Sequence, residues 1–184
     1  MNRIFNISNS IILLTILSTS CVEDKLYIAD ENKPVEPIKS EVSINEVFAN
    51  GDAATYSDWV ELYNDSEIAV NIGGYSIYDE GIKSGAKSKR VIAEGITIPA
   101  KSFLVLNTDI DANETVLFGL STTSETVYLE NKQGVVVSQI SWDATILGET
   151  DLKSGKSYGR KPDGSTNFVI FTTPTKGTSN NNAN

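Results

Sequence analysis

The chain has 184 residues, 40% of them hydrophobic and 21% charged, with 15 basic against 24 acidic side chains and a formal net charge of −9. That balance opposes binding to a nucleic-acid backbone or to anionic lipid headgroups. One cysteine and no histidine exclude a disulfide within the chain and remove the commonest general base and zinc ligand.

From the N-terminus, Arg3, the apolar run Ile11 to Leu17 and the small residues Ser18, Thr19 and Ser20 read as a signal peptide over residues 1–20. The run is too short for a membrane span, which needs about 20 apolar residues. Cys21 follows at once, ahead of the polar stretch Val22-Glu23-Asp24-Lys25. This arrangement resembles the lipobox of bacterial lipoproteins, with Leu17 four residues before the cysteine where the usual pattern has three. The resemblance implies that Cys21 becomes the first mature residue and carries the lipid anchor. Removing residues 1–20 takes away only Arg3, so 14 basic and 24 acidic residues remain, a net −10. Glu23 and Asp24 are similar to acidic surface-export signals; the plainer alternative is the start of a solvated tether. Display on the cell surface and display toward the periplasm therefore both stay open. Residues 21–39 read as the lipidated cysteine and an extended tether, because Pro34 and Pro37 favour polyproline II. Membrane contact is expected through the lipid anchor alone.

The next part of the chain has the period of strands. Glu41 to Ala49 alternates Val42 and Ile44 against Ser43 and Asn45, and Asp58 to Asn64 sets Val60 and Leu62 against Trp59, Glu61 and Tyr63. Large apolar groups on both faces of the second run predict a central strand. Val70 to Asp79, Gly95 to Asn107, Glu125 to Asn131 and Gly134 to Trp142 continue the pattern, with Gly134 supplying a positive φ at a hairpin. No window shows helical spacing. Short strands between Gly, Asn, Asp and Ser predict an all-β sandwich or barrel. The polar C-terminal residues 179–184 are expected to fray.

Five pieces in order then carry a family resemblance: INEV (44–47), DWVELYN (58–64), GGYSIYD (73–79), the pair GLS and ETVYL (119–121 and 125–129), and SYGRKPDGS with TPTKG (157–165 and 173–177). Together they resemble a lamin-tail domain, an immunoglobulin-like β-sandwich, spanning residues 40–178. The resemblance implies that Glu46, Trp59, Glu61, Tyr75, Arg160, Asp163 and Gly164 are signature positions of structural weight. Glu61 lies on the aromatic face of its strand and needs a donor if buried. Its alternative reading is a ligand or metal carboxylate with Glu46 and Asp58 nearby; the structural reading is preferred. Pro162 is expected at the first corner of a turn completed by Asp163 and Gly164, with Arg160 pairing a carboxylate or capping carbonyls.

Asp109, Asp111 and Asn113 alternate as at the opening of a calcium loop, although Glu114 and Leu120 stand where such a loop needs Gly and Glu. They form a candidate weak calcium site, the alternative being a solvated acidic hairpin end; no other cofactor is expected. The basic cluster Lys83 to Arg90 reads as a mobile loop, the alternative being a dock for an acidic partner or a polysaccharide. No nucleophile and base pair stands out, so no enzyme is expected. The leading expectation is a non-catalytic binding or scaffold module anchored to the envelope and contacting protein or glycan. A structural envelope subunit assembling through strand edges, or a weak calcium-dependent adhesion module, is the alternative. A glycan platform needs exposed aromatics, for which Tyr56, Trp59 and Trp142 are the candidates.

Overall fold

The computed structural model describes residues 40–49, 57–83, 89–148, 152–153 and 155–183, all within the unit Ile38–Asn184. The expected signal peptide, Cys21, the tether and Tyr56 lie outside the described residues. Two antiparallel sheets form an immunoglobulin-like sandwich. The larger runs β11-β10-β1-β2-β7, built from β1 (Val42–Phe48), β2 (Trp59–Asn64), β7 (Phe103–Asn107), β10 (Ser157–Arg160) and β11 (Phe168–Phe171). The smaller runs β5-β4-β8-β9, from β4 (Ser76–Asp79), β5 (Arg90–Val91), β8 (Glu125–Glu130) and β9 (Val136–Trp142). A two-stranded pair, β3 (Val70–Asn71) with β6 (Thr97–Ile98), lies beside them.

Alternation sends one face of each sheet to a shared interior. Ile44, Val47, Val60 and Leu62 from the larger sheet join Ile77, Val127, Leu129 and Ile140 from the smaller, all essentially inaccessible. The Ile44 N–H donates to Ser138 Oγ at 3.0 Å, tying β1 to β9 across the layers. As expected, β2 is central and buried along its whole length, and the β8–β9 hairpin turns through Gly134 at φ 78°.

Two long runs are divided. Val70 to Asp79 becomes β3 and β4 because the chain bends at Gly73-Gly74. Gly74 has φ 81°, and a Cβ on Gly73 would lie 2.7 Å from the Gly95 nitrogen, so only glycine lets the two segments close. Gly95 to Asn107 becomes β6 and β7, separated around Pro99. The described helices are single turns, α1 (Glu80–Lys83) and α2 (Ala144–Leu147), and among the described residues none is long and apolar enough to cross a membrane.

The C-terminus corrects the expectation of fraying. Asn180–Asn182 forms a 3-10 turn and the Asn180 side chain is fully buried. Its order comes from hydrogen bonds to distant side chains, which the polarity of the segment conceals.

Candidate functional site

β1 carries a bulge. Ser43 and Ile44 pair with Tyr63 and Leu62, but Glu46 pairs with Glu61, leaving Asn45 as the extra residue. Strict alternation would put Glu46 in the core and Val47 outside. The bulge reverses this, so Asn45 and Glu46 both turn to the outer face with Trp59, Glu61 and Tyr63, and Val47 joins the interior. β10 closes on the bulge through Gly159, where a Cβ would meet the Asn45 carbonyl oxygen at 2.6 Å.

The C-terminal segment fastens onto this face. Glu46 Oε1 accepts from Ser157 Oγ and from the Thr175 N–H at 3.1 Å, and Glu46 Oε2 bonds Thr175 Oγ1. Glu61 accepts from Asn45 Nδ2 at 3.1 Å and from the Gly177 N–H at 2.6 Å. Asn45 gives its second amide hydrogen to Asp163 at 2.9 Å and accepts from the Gly164 N–H at 3.1 Å, so its donors and its oxygen are all engaged. Asp163 also accepts from the Asn180 N–H and from Ser179 Oγ. Lys176 Nζ lies 5.6 Å from the centre of the Trp59 ring, which stacks on Phe48.

Arg160 caps carbonyls: its Nε donates to the Ile44 oxygen at 2.7 Å, another nitrogen donates to the Ser165 oxygen, and the guanidinium covers Phe168. The turn sits one residue later than expected. Pro162 supplies the accepting carbonyl for the Ser165 N–H, leaving Asp163 and Gly164 as the two corners. Tyr75 lies apart from this network, half-buried against the core.

Burial raises the pKa of both central carboxyls. Glu46 is pushed up by loss of water, opposed by the Ser157 and Thr175 hydrogen bonds and reinforced by the Asp163 charge. Glu61 rises to about 7, again chiefly through burial, with donors Asn45 and Gly177 pulling down and the charges of Glu46 and Asp163 pushing up.

A second region lies at the open side of the sandwich, where β7 and β5 end their sheets. The Asn64 N–H donates to the Ser102 carbonyl and the Thr108 N–H to the Asp58 carbonyl. In an antiparallel ladder this phase directs Leu104 and Leu106 backbone groups toward β2, and those of Phe103, Val105 and Asn107 outward. Among the described residues no strand pairs with the outer side of β7. Beside it is a cleft of about 230 Å³ whose apolar walls are Leu104 and Leu106 on one side and Ile92 and Ile96 on the other.

The polar end of the cleft is built around Arg90. Its side chain is 3% exposed and bridges Asp111 at 3.2 Å and Glu114 at 3.1 Å, while donating to the Asn107 carbonyl. Of the stretch Lys83 to Arg90, expected as a mobile loop, only the ends are described, and residues 84–88 lie outside the described residues. Arg90 is a buried strand residue, Lys89 pairs with Glu130 and Lys83 bonds Tyr128. No local signal marked Arg90, because its partners lie 17 or more residues away.

The calcium candidates are not brought together. Asp109 accepts from Ser57 Oγ and from the Asp58 N–H, Asp111 binds Arg90, and Asn113 donates its backbone N–H to Asp111. Among the described residues no group of three or more acidic side chains is placed to hold a metal ion. Asp58 accepts from the Leu120 N–H and does not join Glu46 and Glu61. Trp59 and Trp142 are 3% and 2% exposed, which removes both from any aromatic platform.

A family model described as Lamin Tail Domain matches residues 36–144, more than half of the chain. None of the curated proteins matches it.

Proposed function

The chain belongs to the lamin tail domain family, a family of non-catalytic immunoglobulin-like modules, and from that premise we propose that it is a binding module held on the bacterial envelope by a lipidated Cys21. The tether 22–39 holds the sandwich off the membrane. The partner is a polypeptide taken up in extended form along β7.

One observation carries this reading: the outward backbone groups of Phe103 and Val105 lie next to the apolar cleft of Leu104, Leu106, Ile92 and Ile96. Alternating N–H and C=O groups at a strand edge are complemented by another extended backbone, and a neighbouring pocket selects its side chains. A sugar lacks that alternation, and the burial of Trp59 and Trp142 disfavours a glycan partner. The acidic composition, net −9, disfavours nucleic acid. If the partner is a second copy, the same edge makes the protein a structural subunit of the envelope.

The test places a photo-crosslinking amino acid at Ile96, on the cleft, or at Val135, exposed on the far hairpin, in cells producing the full chain. The reading expects an adduct with a defined polypeptide from position 96 and not from position 135. An adduct of twice the chain's own mass indicates self-assembly. No adduct from position 96, or equal adducts from both, contradicts it.

A further inference from the structure

Thr175 has one hydroxyl hydrogen and two oxygen neighbours. Its Oγ1 lies in hydrogen-bond contact with Glu46 Oε2 and with Asn180 Oδ1. The orientation of the Asn180 amide is fixed independently. Its nitrogen donates to the Arg160 carbonyl at 2.9 Å, and turning it over would set two carbonyl-type oxygens against each other. The Asn180 oxygen therefore faces Thr175 and needs a donor, which among the described residues the Thr175 hydroxyl supplies. That hydrogen being used, the remaining contact between Thr175 Oγ1 and Glu46 Oε2 is a hydrogen bond only if the carboxyl brings its own proton. The other oxygen, Oε1, is occupied by two donors, Ser157 Oγ and the Thr175 N–H.

We propose that Glu46 is a neutral carboxylic acid in the folded protein, and that its proton closes a clasp which holds the C-terminal segment on the outer face of β1 and β2. The relay runs from Glu46 through the Thr175 hydroxyl to Asn180. Each step has one donor and one acceptor. Glu61, directly opposite on β2, meets an N–H donor with each of its two oxygens, so its hydrogen bonds do not call for a proton as those of Glu46 do. Asp163, on the turn after β10, is the other acid facing the network. Arg160 on β10 donates to the Ile44 and Ser165 carbonyls. Lys176, on the segment itself, lies over Trp59 and reaches Asn107.

Withdrawing the proton reverses the balance. Glu46 would then be an anion beside Glu61 and Asp163, and Thr175 Oγ1 would have to abandon either Glu46 or Asn180. The segment loosens and Trp59 loses its cover. The device is closed at acidic pH and opens as pH rises, which agrees in direction with the burial-raised pKa of Glu46.

The test uses Glu46→Gln in the full mature chain. Glutamine reproduces the neutral acid, its carbonyl accepting from Ser157 and Thr175 and its amide donating to Thr175 Oγ1. The variant is expected to match the wild-type melting temperature near about pH 5 and to exceed it near about pH 8, where only the wild type loses its proton. A variant less stable than wild type by a constant margin, or with no pH-dependent difference, overturns the proposal. A second measurement needs no variant. The carboxyl carbon resonance of Glu46 should remain at the protonated position as pH rises through the ordinary carboxylate range. A Glu46 resonance that moves to the ionised position within the ordinary carboxylate range overturns the proposal whatever the variant does.

Discussion

Glu46 on β1 and Glu61 on β2 are register partners on one face of the sheet, and both reach the same C-terminal segment, at Thr175 and Gly177 respectively. Two strands thus hold a stretch more than 110 residues away in sequence through carboxylates rather than through apolar contact. Glu61 is the more exacting of the two, because both its oxygens receive N–H donors. In Glu61→Gln one oxygen is replaced by an NH₂ group, which must face either Asn45 Nδ2 or the Gly177 N–H. An unsatisfied buried donor costs about 1–3 kcal/mol, so the melting temperature is expected to fall by on the order of 5 °C. A calorimetric scan showing no change would contradict the assignment.

The same carboxyl gives a pH dependence of defined sign. Its folded value of about 7 stands above the ordinary 4.5, so between these limits the folded protein holds more protons than the unfolded chain. The stabilisation is complete below the ordinary value and is lost as pH rises through about 7. Denaturation followed from about pH 5 to about pH 8 should show declining stability, and Glu61→Gln should flatten the decline. Stability rising across that window in the wild type would oppose the account.

Arg90 anchors the other end of the molecule. Its guanidinium is buried while Asp111 and Glu114 retain 22% and 27% of their side-chain exposure, so their loss of a partner is eased by water. Arg90→Ala is expected to cost about 1–3 kcal/mol and to free the 109–114 segment from β7, abolishing the adduct at position 96. Arg90→Lys should rescue little, since one ammonium cannot match the guanidinium's three contacts. Adducts persisting in Arg90→Ala would dissociate this cluster from the binding surface.

Much of the fold was legible because β2 announces itself. Trp59, Glu61 and Tyr63 against Val60 and Leu62 can only be a strand covered on both faces, and Gly134 marks the β8–β9 hairpin without help from tertiary structure. The bulge was not legible. The adjacent polar pair Asn45-Glu46 breaks the alternation, but whether a strand bulges there depends on the approach of Gly159, more than 100 residues on. The C-terminal segment misled for a related reason. Asn180 sits in a run that local composition reads as solvated, and its burial is set by Thr175, Asp163 and Arg160. Likewise Asp109 and Asp111 have the spacing of a calcium loop, while Arg90 and the Asp58 backbone, both distant, decide what they bind.

Lipid anchoring makes a separate prediction. Cys21→Ala should move the protein from the membrane fraction to the soluble fraction without altering its melting temperature. Mass spectrometry of the mature wild-type N-terminus should find a diacylglycerol on Cys21. An unmodified cysteine, or a start elsewhere, would remove the anchor.

The family match ends at residue 144, whereas the sheet is completed by β10 and β11 and its outer face is closed by residues 175–180. That closure is tested most directly by hydrogen exchange of two backbone amides, those of Thr175 and Gly177. The account predicts protection comparable to the amides pairing β10 with β11, because each donates to a carboxyl oxygen of a fully buried glutamate. Exchange of both at the rate of an unstructured peptide would contradict it.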